Sequence, residues 1–208
     1  VGITFPTGLS FHVERDRNGM LTSIEDGEGV RAKLTYDEHA NLETETQARG
    51  ATPRYRYDAL GRPVDQTDAI GRASAVRYDL LGAVLELRRA DGTTLSATYD
   101  KLSNLATTTD ALGHVTRLDH VGTGHLARIT QPDGQMYKLV YDEDERLTQI
   151  FNPRLERYEI EYDRADQIIA ERTFDKRTLI YRYNKAGRLT RVDYPEREWR
   201  EFAHDKLG

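Results

Sequence analysis

Tyr57-Asp58-Ala59-Leu60-Gly61-Arg62 decides the fold, because it recurs. Tyr-Asp pairs stand at Tyr36-Asp37, Tyr57-Asp58, Tyr78-Asp79, Tyr99-Asp100, Tyr141-Asp142 and Tyr162-Asp163, with Tyr183-Asn184 as a variant. Neighbouring pairs lie about 21 residues apart, and twice that across one gap, which is the signature of a repeat architecture. His120-Val121 fills the gap in register, and Arg15-Asp16 and His204-Asp205 extend the series at either end. No insertion or deletion breaks the spacing. The chain reads as one repeat array.

With the tyrosine counted as position zero, each unit begins with a turn. The Asp at +1 can accept a hydrogen bond from a backbone N–H two residues on. A Gly at +4 then supplies positive φ without steric cost; Gly19, Gly61, Gly82, Gly124, Gly187 and Gly208 hold that place. Ala40, Ser103, Glu145 and Asp166 replace it elsewhere. At +6 an apolar residue resumes a strand, as at Leu21, Leu42, Val84, Leu105, Leu126, Leu147, Ile168 and Leu189, with Pro63 the exception. Ahead of position zero the side chains alternate as a half-buried strand requires, for example Val76/Tyr78, Leu139/Tyr141 and Ile160/Tyr162.

A second turn falls at +14, where Gly29, Gly50, Gly71, Gly92, Gly113 and Gly134 recur. Leu155, Lys176 and Arg197 replace that glycine in the last units, so those turns are expected to differ. A period of about 21 holds two strands and two turns and leaves no room for a crossover helix. Each unit is therefore a β-hairpin. Ile24, Leu87, Ile129, Ile150 and Val192 lie three past the apolar anchor, off strict alternation, which predicts a bulge or strong twist there. The fold class is all-β: tandem 21-residue hairpins forming a long antiparallel sheet of about eighteen strands, which must coil.

Composition narrows function. Hydrophobic residues make up 38% and charged residues 31%, lean for a globule with a deep core. A formal charge of −5 and a pI near 5.7 argue against nucleic-acid binding, which calls for a basic face. The absence of Cys removes disulfides, thiolate chemistry and Cys-based zinc sites. No apolar run approaches the roughly 18 residues of a membrane span, and the start lacks a signal-peptide layout.

Residues 1–14 read as lead-in strands, Ile3-Thr4-Phe5 and Leu9 to Val13, around a Pro6-Thr7-Gly8 turn. Residues 15–208 form a continuous array without a linker. Gly208 falls in the middle of a repeat's turn, so both ends are expected to be cuts through a longer array.

Candidate chemistry is sparse. Glu14, Asp16, Asn18, Gly19 and Glu25 match most of a calcium-loop pattern, but Gly19 is also the repeat's turn glycine, and strands flank it. Gly122, Gly124 and Ala127 imitate a dinucleotide fingerprint, yet a strand follows where a helix is needed. His114, His120 and His125 cluster in sequence and could hold zinc; ring-for-ring replacement on a sheet face is the simpler reading. Asp142-Glu143-Asp144-Glu145 could attract a cation, or be a solvated turn tip. Ser10 and His12 share a strand face without an orienting acid. The expectation is no catalytic residue, no cofactor and no metal. The Asp at +1 and the Arg at +5 (Arg62, Arg146, Arg188) are expected to bracket the turn, with the Arg lying on a Tyr ring.

The Tyr-Asp-x-x-Gly-Arg-Leu spacing resembles the YD repeats of the Rhs family across residues 15–208, most closely at Tyr57–Arg62 and at Tyr183 to Leu189. Asp110-Ala111-Leu112-Gly113 resembles that family's second-half turn. The structural repeat positions matched are Tyr36, Tyr57, Asp58, Gly61, Arg62, Tyr78, Gly82, Tyr99, Tyr141, Tyr162, Tyr183, Gly187 and Arg188, with Gly71, Gly92, Gly113 and Gly134 in the second turn. Rhs proteins, and the related toxin-complex subunits and teneurins, wind such hairpins into a hollow β-shell. In bacterial members the shell encloses the chain's own C-terminal toxin, released by an autoproteolytic segment that has no match here.

The resemblance therefore implies a non-catalytic shell segment of a secreted polymorphic toxin, cytoplasmic before export. Its implied partners are the toxin cargo, a PAAR or VgrG spike of type VI secretion, an effector chaperone and an immunity protein. A cell-surface module binding glycan or a partner protein is the competing reading. Outward tyrosine rows favour that module, and inward rows the shell.

Overall fold

The computed structural model describes residues 2–4 by backbone and residues 10–204 in full. The expected Pro6-Thr7-Gly8 turn and the turn glycine Gly208 lie outside them. Among the described residues there are twenty strands and one short 3-10 helix, Pro195–Arg197. The chain divides into two compact units, residues 1–97 with 109–113 and residues 98–108 with 114–208. In the first, each strand from Gly2–Thr4 to Val84–Arg88 pairs antiparallel with its successor. In the second, the same holds from Val115–Val121 to Trp199–Glu201.

The turn between Arg54–Tyr57 and Pro63–Thr67 shows the local rule. The N–H of Asp58 donates to the Arg62 carbonyl at 2.9 Å, and that of Gly61 to the Asp58 carbonyl at 3.0 Å. This is a type I turn closed by one residue at positive φ, here Gly61 at 74°. Asp58 Oδ1 accepts the N–H groups of Leu60 and Arg62 at 2.9 and 3.0 Å. The turn at the other end of the hairpin copies it, with Asp68 accepting from Ile70 and Arg72 at 3.0 and 2.9 Å. Both ends of a unit thus use one chemistry. Pro63 opens its strand, a place where its missing N–H is tolerated.

Two of the three late turns correct the expectation. Leu155 and Lys176 take φ of 61° and 66°, and keep the same pair of backbone hydrogen bonds, Asn152 with Leu155 and Glu156, and Thr173 with Lys176 and Arg177. They are glycine turns made without glycine, because the hydrogen bonds over-determine a strained backbone. Only the turn at Arg197 differs: Glu196 and Arg197 are both left-handed, at 65° and 66°.

The predicted irregularity is a bulge, and it falls at one place in unit after unit. Tyr57 opposes Pro63 while Arg56 opposes Asp65, leaving Val64 as the extra residue. The same shift occurs at Arg15/Leu21, Tyr36/Leu42, Tyr78/Val84, His120/Leu126, Tyr141/Leu147, Tyr162/Ile168 and Tyr183/Leu189. One extra residue moves the apolar anchor from +8 to +9, which restores Ile24 or Leu87 to the tyrosine face.

The two faces differ in chemistry. The tyrosine face carries half-buried rings and aliphatic side chains. On the other face position −1 meets position +8 in complementary pairs. These are Glu14 with Ser23 (3.2 Å), Thr35 with Thr44 (2.7 Å), Arg77 with Glu86 (3.3 Å), Thr98 with Thr107 (2.7 Å) and Arg128 with Asp119 (3.6 Å), with Arg56 and Asp65 likewise joined. Among the described residues only Val192 and Ser23 are buried outright, so neither unit has a deep core.

Ala40 occupies the left-handed turn position at φ 65°, which costs an L-residue energy that glycine does not pay. Ala40→Gly is expected to raise stability by about 0.5–1 kcal/mol, read from the denaturant midpoint. A drop in the midpoint at unchanged slope would refute this account of the turn.

Candidate functional site

The candidate site is the line where one repeat meets the next. Tyr36, Tyr78, Tyr141, Tyr162 and Tyr183 each donate their hydroxyl to the carbonyl of the residue fifteen positions back: Leu21, Pro63, Leu126, Leu147 and Ile168, at 2.8–3.0 Å. Each acceptor is the first residue after the preceding repeat's turn, where the bulge interrupts the ladder. His204 makes the same contact through Nε2, 2.7 Å from the Leu189 carbonyl. Burial pushes the hydroxyls of Tyr57, Tyr162 and Tyr183 above the ordinary tyrosine value.

The side chain at +5 adds a second link. Arg62 Nε bonds Asp58 in its own turn at 2.7 Å, Nη1 reaches the Asp79 carbonyl of the next turn at 3.0 Å, and Cζ lies 4.7 Å from the centre of the Tyr78 ring. Arg146 repeats this with Asp142 (2.9 Å) and the Tyr162 ring (5.0 Å). Arg188 is placed in its turn by its N–H, which donates to Asn184 Oδ1 at 3.1 Å. Gln167 takes the same route by donating to the Gly187 carbonyl at 2.8 Å. His125 packs against Tyr141 with ring centres 4.9 Å apart and planes tilted by 53°.

The +5 side chain also explains the residue at +4 of the following repeat, which the sequence pattern alone did not. A Cβ at Gly124 would stand 2.8 Å from Asn104 Oδ1, and one at Gly187 3.3 Å from Gln167 Nε2. Glycine there serves both positive φ and close approach. At two late units that lack the glycine, an acid meets the incoming side chain: Asp166 with Arg146 at 2.6 Å, and Glu145 3.9 Å from His125 Nδ1. Covariation at an offset of twenty is the signal that could have found this.

Hydrogen bonding favours the ionised form of Asp37, Asp100 and Asp142. The Arg146 side chain keeps the Asp142 carboxyl below the usual range, and Asn41 and Asn104 do so for Asp37 and Asp100.

The other sequence candidates are absorbed by the repeat. Asp16 Oδ1 accepts the N–H groups of Asn18 and Met20 at 2.8 and 2.9 Å, as any turn Asp does. Gly122 and Gly124 sit in a turn at φ 57° and 115°, followed by the strand His125–Thr130. His120 stands opposite Leu126 in a tyrosine slot. Glu145 accepts the Thr123 hydroxyl at 3.2 Å. Ser10 and His12 lie on one exposed strand face. No group of three side chains suited to a metal occurs among the described residues, and no helix there is long and apolar enough to cross a membrane.

Comparison with known proteins bears on this geometry. Residues 75–206 match the family model of the teneurin YD-shell, and residues 54–94 match that of the RHS repeat. The crystal structure of TcdB2-TccC3 superposes with a TM-score of 0.70 at 15% identity, over 92% of this chain and 12% of that one. The same complex without its hypervariable C-terminal region gives 0.58 at 14% identity, over 100% and 14%. The chain thus spans about an eighth of the chains it matches. No curated protein sequence matches.

Tyr162→Phe removes the bond to the Leu147 carbonyl and is expected to cost about 1–2 kcal/mol in urea unfolding; a change within error would show the hydroxyl to be idle. A depressed carboxyl pKa favours the folded state above the unfolded value of about 3.9, and that contribution is lost as pH falls through the folded value. Asp142→Asn keeps the cap, as Asn184 does, but cannot titrate. Its stability is expected to fall less steeply below about pH 4 than that of the parent, and parallel acid limbs would contradict this.

Proposed function

The chain belongs to the teneurin YD-shell family, and from that premise we propose that it is a non-catalytic stretch of wall in a β-shell that encloses a toxin for delivery. The carrying observation is the link between repeats: position zero and position +5 of one hairpin bond the neighbouring one, at Tyr78 and Arg62 as at Tyr162 and Arg146. Such a unit is completed by its neighbours and not by a core of its own, which suits a wall. On this reading residues 15–208 are one continuous part of a longer array, and the cargo is the same protein's C-terminal toxin domain. Secretion follows, by a type VI route with a PAAR or VgrG spike and a chaperone, and an immunity protein guards the producer.

A recognition module is the second reading. It draws support from turn-tip side chains left in solvent, Leu80 at 96% and Leu60 at 72% exposure. The tyrosine row speaks against it as the binding surface, since its hydroxyls are spent on the preceding repeat. Limited proteolysis of the longer protein, followed by mass spectrometry, separates the two. A C-terminal polypeptide protected until the repeats are denatured is the expected result. Its immediate digestion while the repeats persist would sink enclosure and leave recognition.

A further inference from the structure

The +9 position of the tyrosine face is aliphatic at Ile24, Leu87, Ile129, Ile150 and Val192, and polar at Glu45, Gln66, Thr108 and Glu171. Glu171 stands opposite Ile160 on one side and Leu179 on the other. The diagonal neighbours on the same face are Tyr158 and Tyr181. Tyr181 donates its hydroxyl to Glu171 Oε2 at 2.6 Å. Tyr158 faces the same carboxylate, and burial together with that carboxylate pushes its hydroxyl up to about 12. The Phe174 ring lies 5.6 Å from that of Tyr158, tilted by 60°. Tyr158, Glu171 and Tyr181 therefore converge on one spot; Glu45 has a tyrosine, Tyr55, in the slot of Tyr181 but Ala32 in the slot of Tyr158.

The arginine ion pairs around Glu171, among the described residues, go to Glu159 on the opposite face, from Arg157 and Arg172. Arg172 projects to the opposite face, where its Nη1 is 3.8 Å from Glu159. A carboxylate offers about four acceptor positions, and the hydroxyls of Tyr181 and Tyr158 take up two. A half-buried negative charge beside aromatic rings, with acceptor capacity to spare, is the complement of a guanidinium or ammonium group.

We propose that Tyr158, Glu171, Tyr181 and Phe174 form a binding site for a single arginine or lysine side chain of a polypeptide seated on the tyrosine face. That the polypeptide is cargo rests on the shell reading; the site itself does not. Mutual satisfaction of Tyr181 and Glu171 is the purely structural alternative, and it predicts no binding.

The test is a chemical-shift titration of the full 208-residue chain with Nα-acetyl-arginine methylamide, and with the neutral citrulline analogue. Saturable shifts of the Tyr158 and Tyr181 ring resonances are expected with the arginine probe alone. Glu171→Gln keeps an acceptor for Tyr181 and should weaken binding by about tenfold or more. Glu45→Gln, in the same slot of another repeat, should change nothing. A dispersed amide spectrum of each variant shows that it is folded, and Tyr158→Leu, a residue the slot holds at Leu95, serves if Glu171→Gln is not. Equal binding of the citrulline probe, no saturable shift with arginine, or an unaltered affinity in both site variants would overturn the proposal. None of these results depends on cargo, so the shell reading stands or falls by proteolysis alone.

Discussion

The structure depends on one hydrogen bond repeated along the chain: a tyrosine hydroxyl donated to the carbonyl at the bulge of the preceding hairpin. A hairpin alone is marginal in water, and these units have no deep core to help them. The bulge breaks the ladder at a fixed place and bends the strand. The phenol brings an apolar ring to the sheet face and a donor to the break, which phenylalanine could not do. That double duty accounts for a tyrosine at position zero in unit after unit.

The arginine at +5 acts on the same junction from the turn side. Its fork is matched to its own turn Asp, to the next turn's carbonyl and to the next tyrosine ring at once, as Arg62 shows. Lysine lacks that planar reach. Where Asn104, Gln167 or His125 stands in place of arginine it makes part of the set, and the residue at +4 of the next turn is Gly124, Gly187 or Glu145. The array is therefore a chain of nearest-neighbour couplings, in which a substitution is felt mainly one repeat away.

Division of labour between the faces follows from alternation. Charged and hydroxyl pairs such as Arg77–Glu86 and Thr98–Thr107 occupy one side, while rings and aliphatic chains occupy the other. A wall needs such a difference, because its two sides meet different surroundings. Glu171, like Glu45, puts a carboxylate on the ring side, and the Tyr181 hydroxyl satisfies it in part.

The repeat period, the hairpins and the all-β class were legible in the residues, because Gly61, Asp58 and Tyr57 act within a few residues of themselves. So was the bulge, from the misplaced Ile24 and Leu87. The turns at Leu155 and Lys176 were misjudged, since a left-handed backbone can be enforced by hydrogen bonds as well as by glycine. What only the tertiary structure decided was the partnership across repeats: Tyr78 with Pro63, Arg146 with Asp166, Gly124 beneath Asn104, Glu171 between Tyr158 and Tyr181. Those contacts join residues ten to twenty positions apart, and the bulge, by adding one residue to a strand, sets which side chains come to face each other. Local chemistry wrote the hairpin; strand register chose its neighbours.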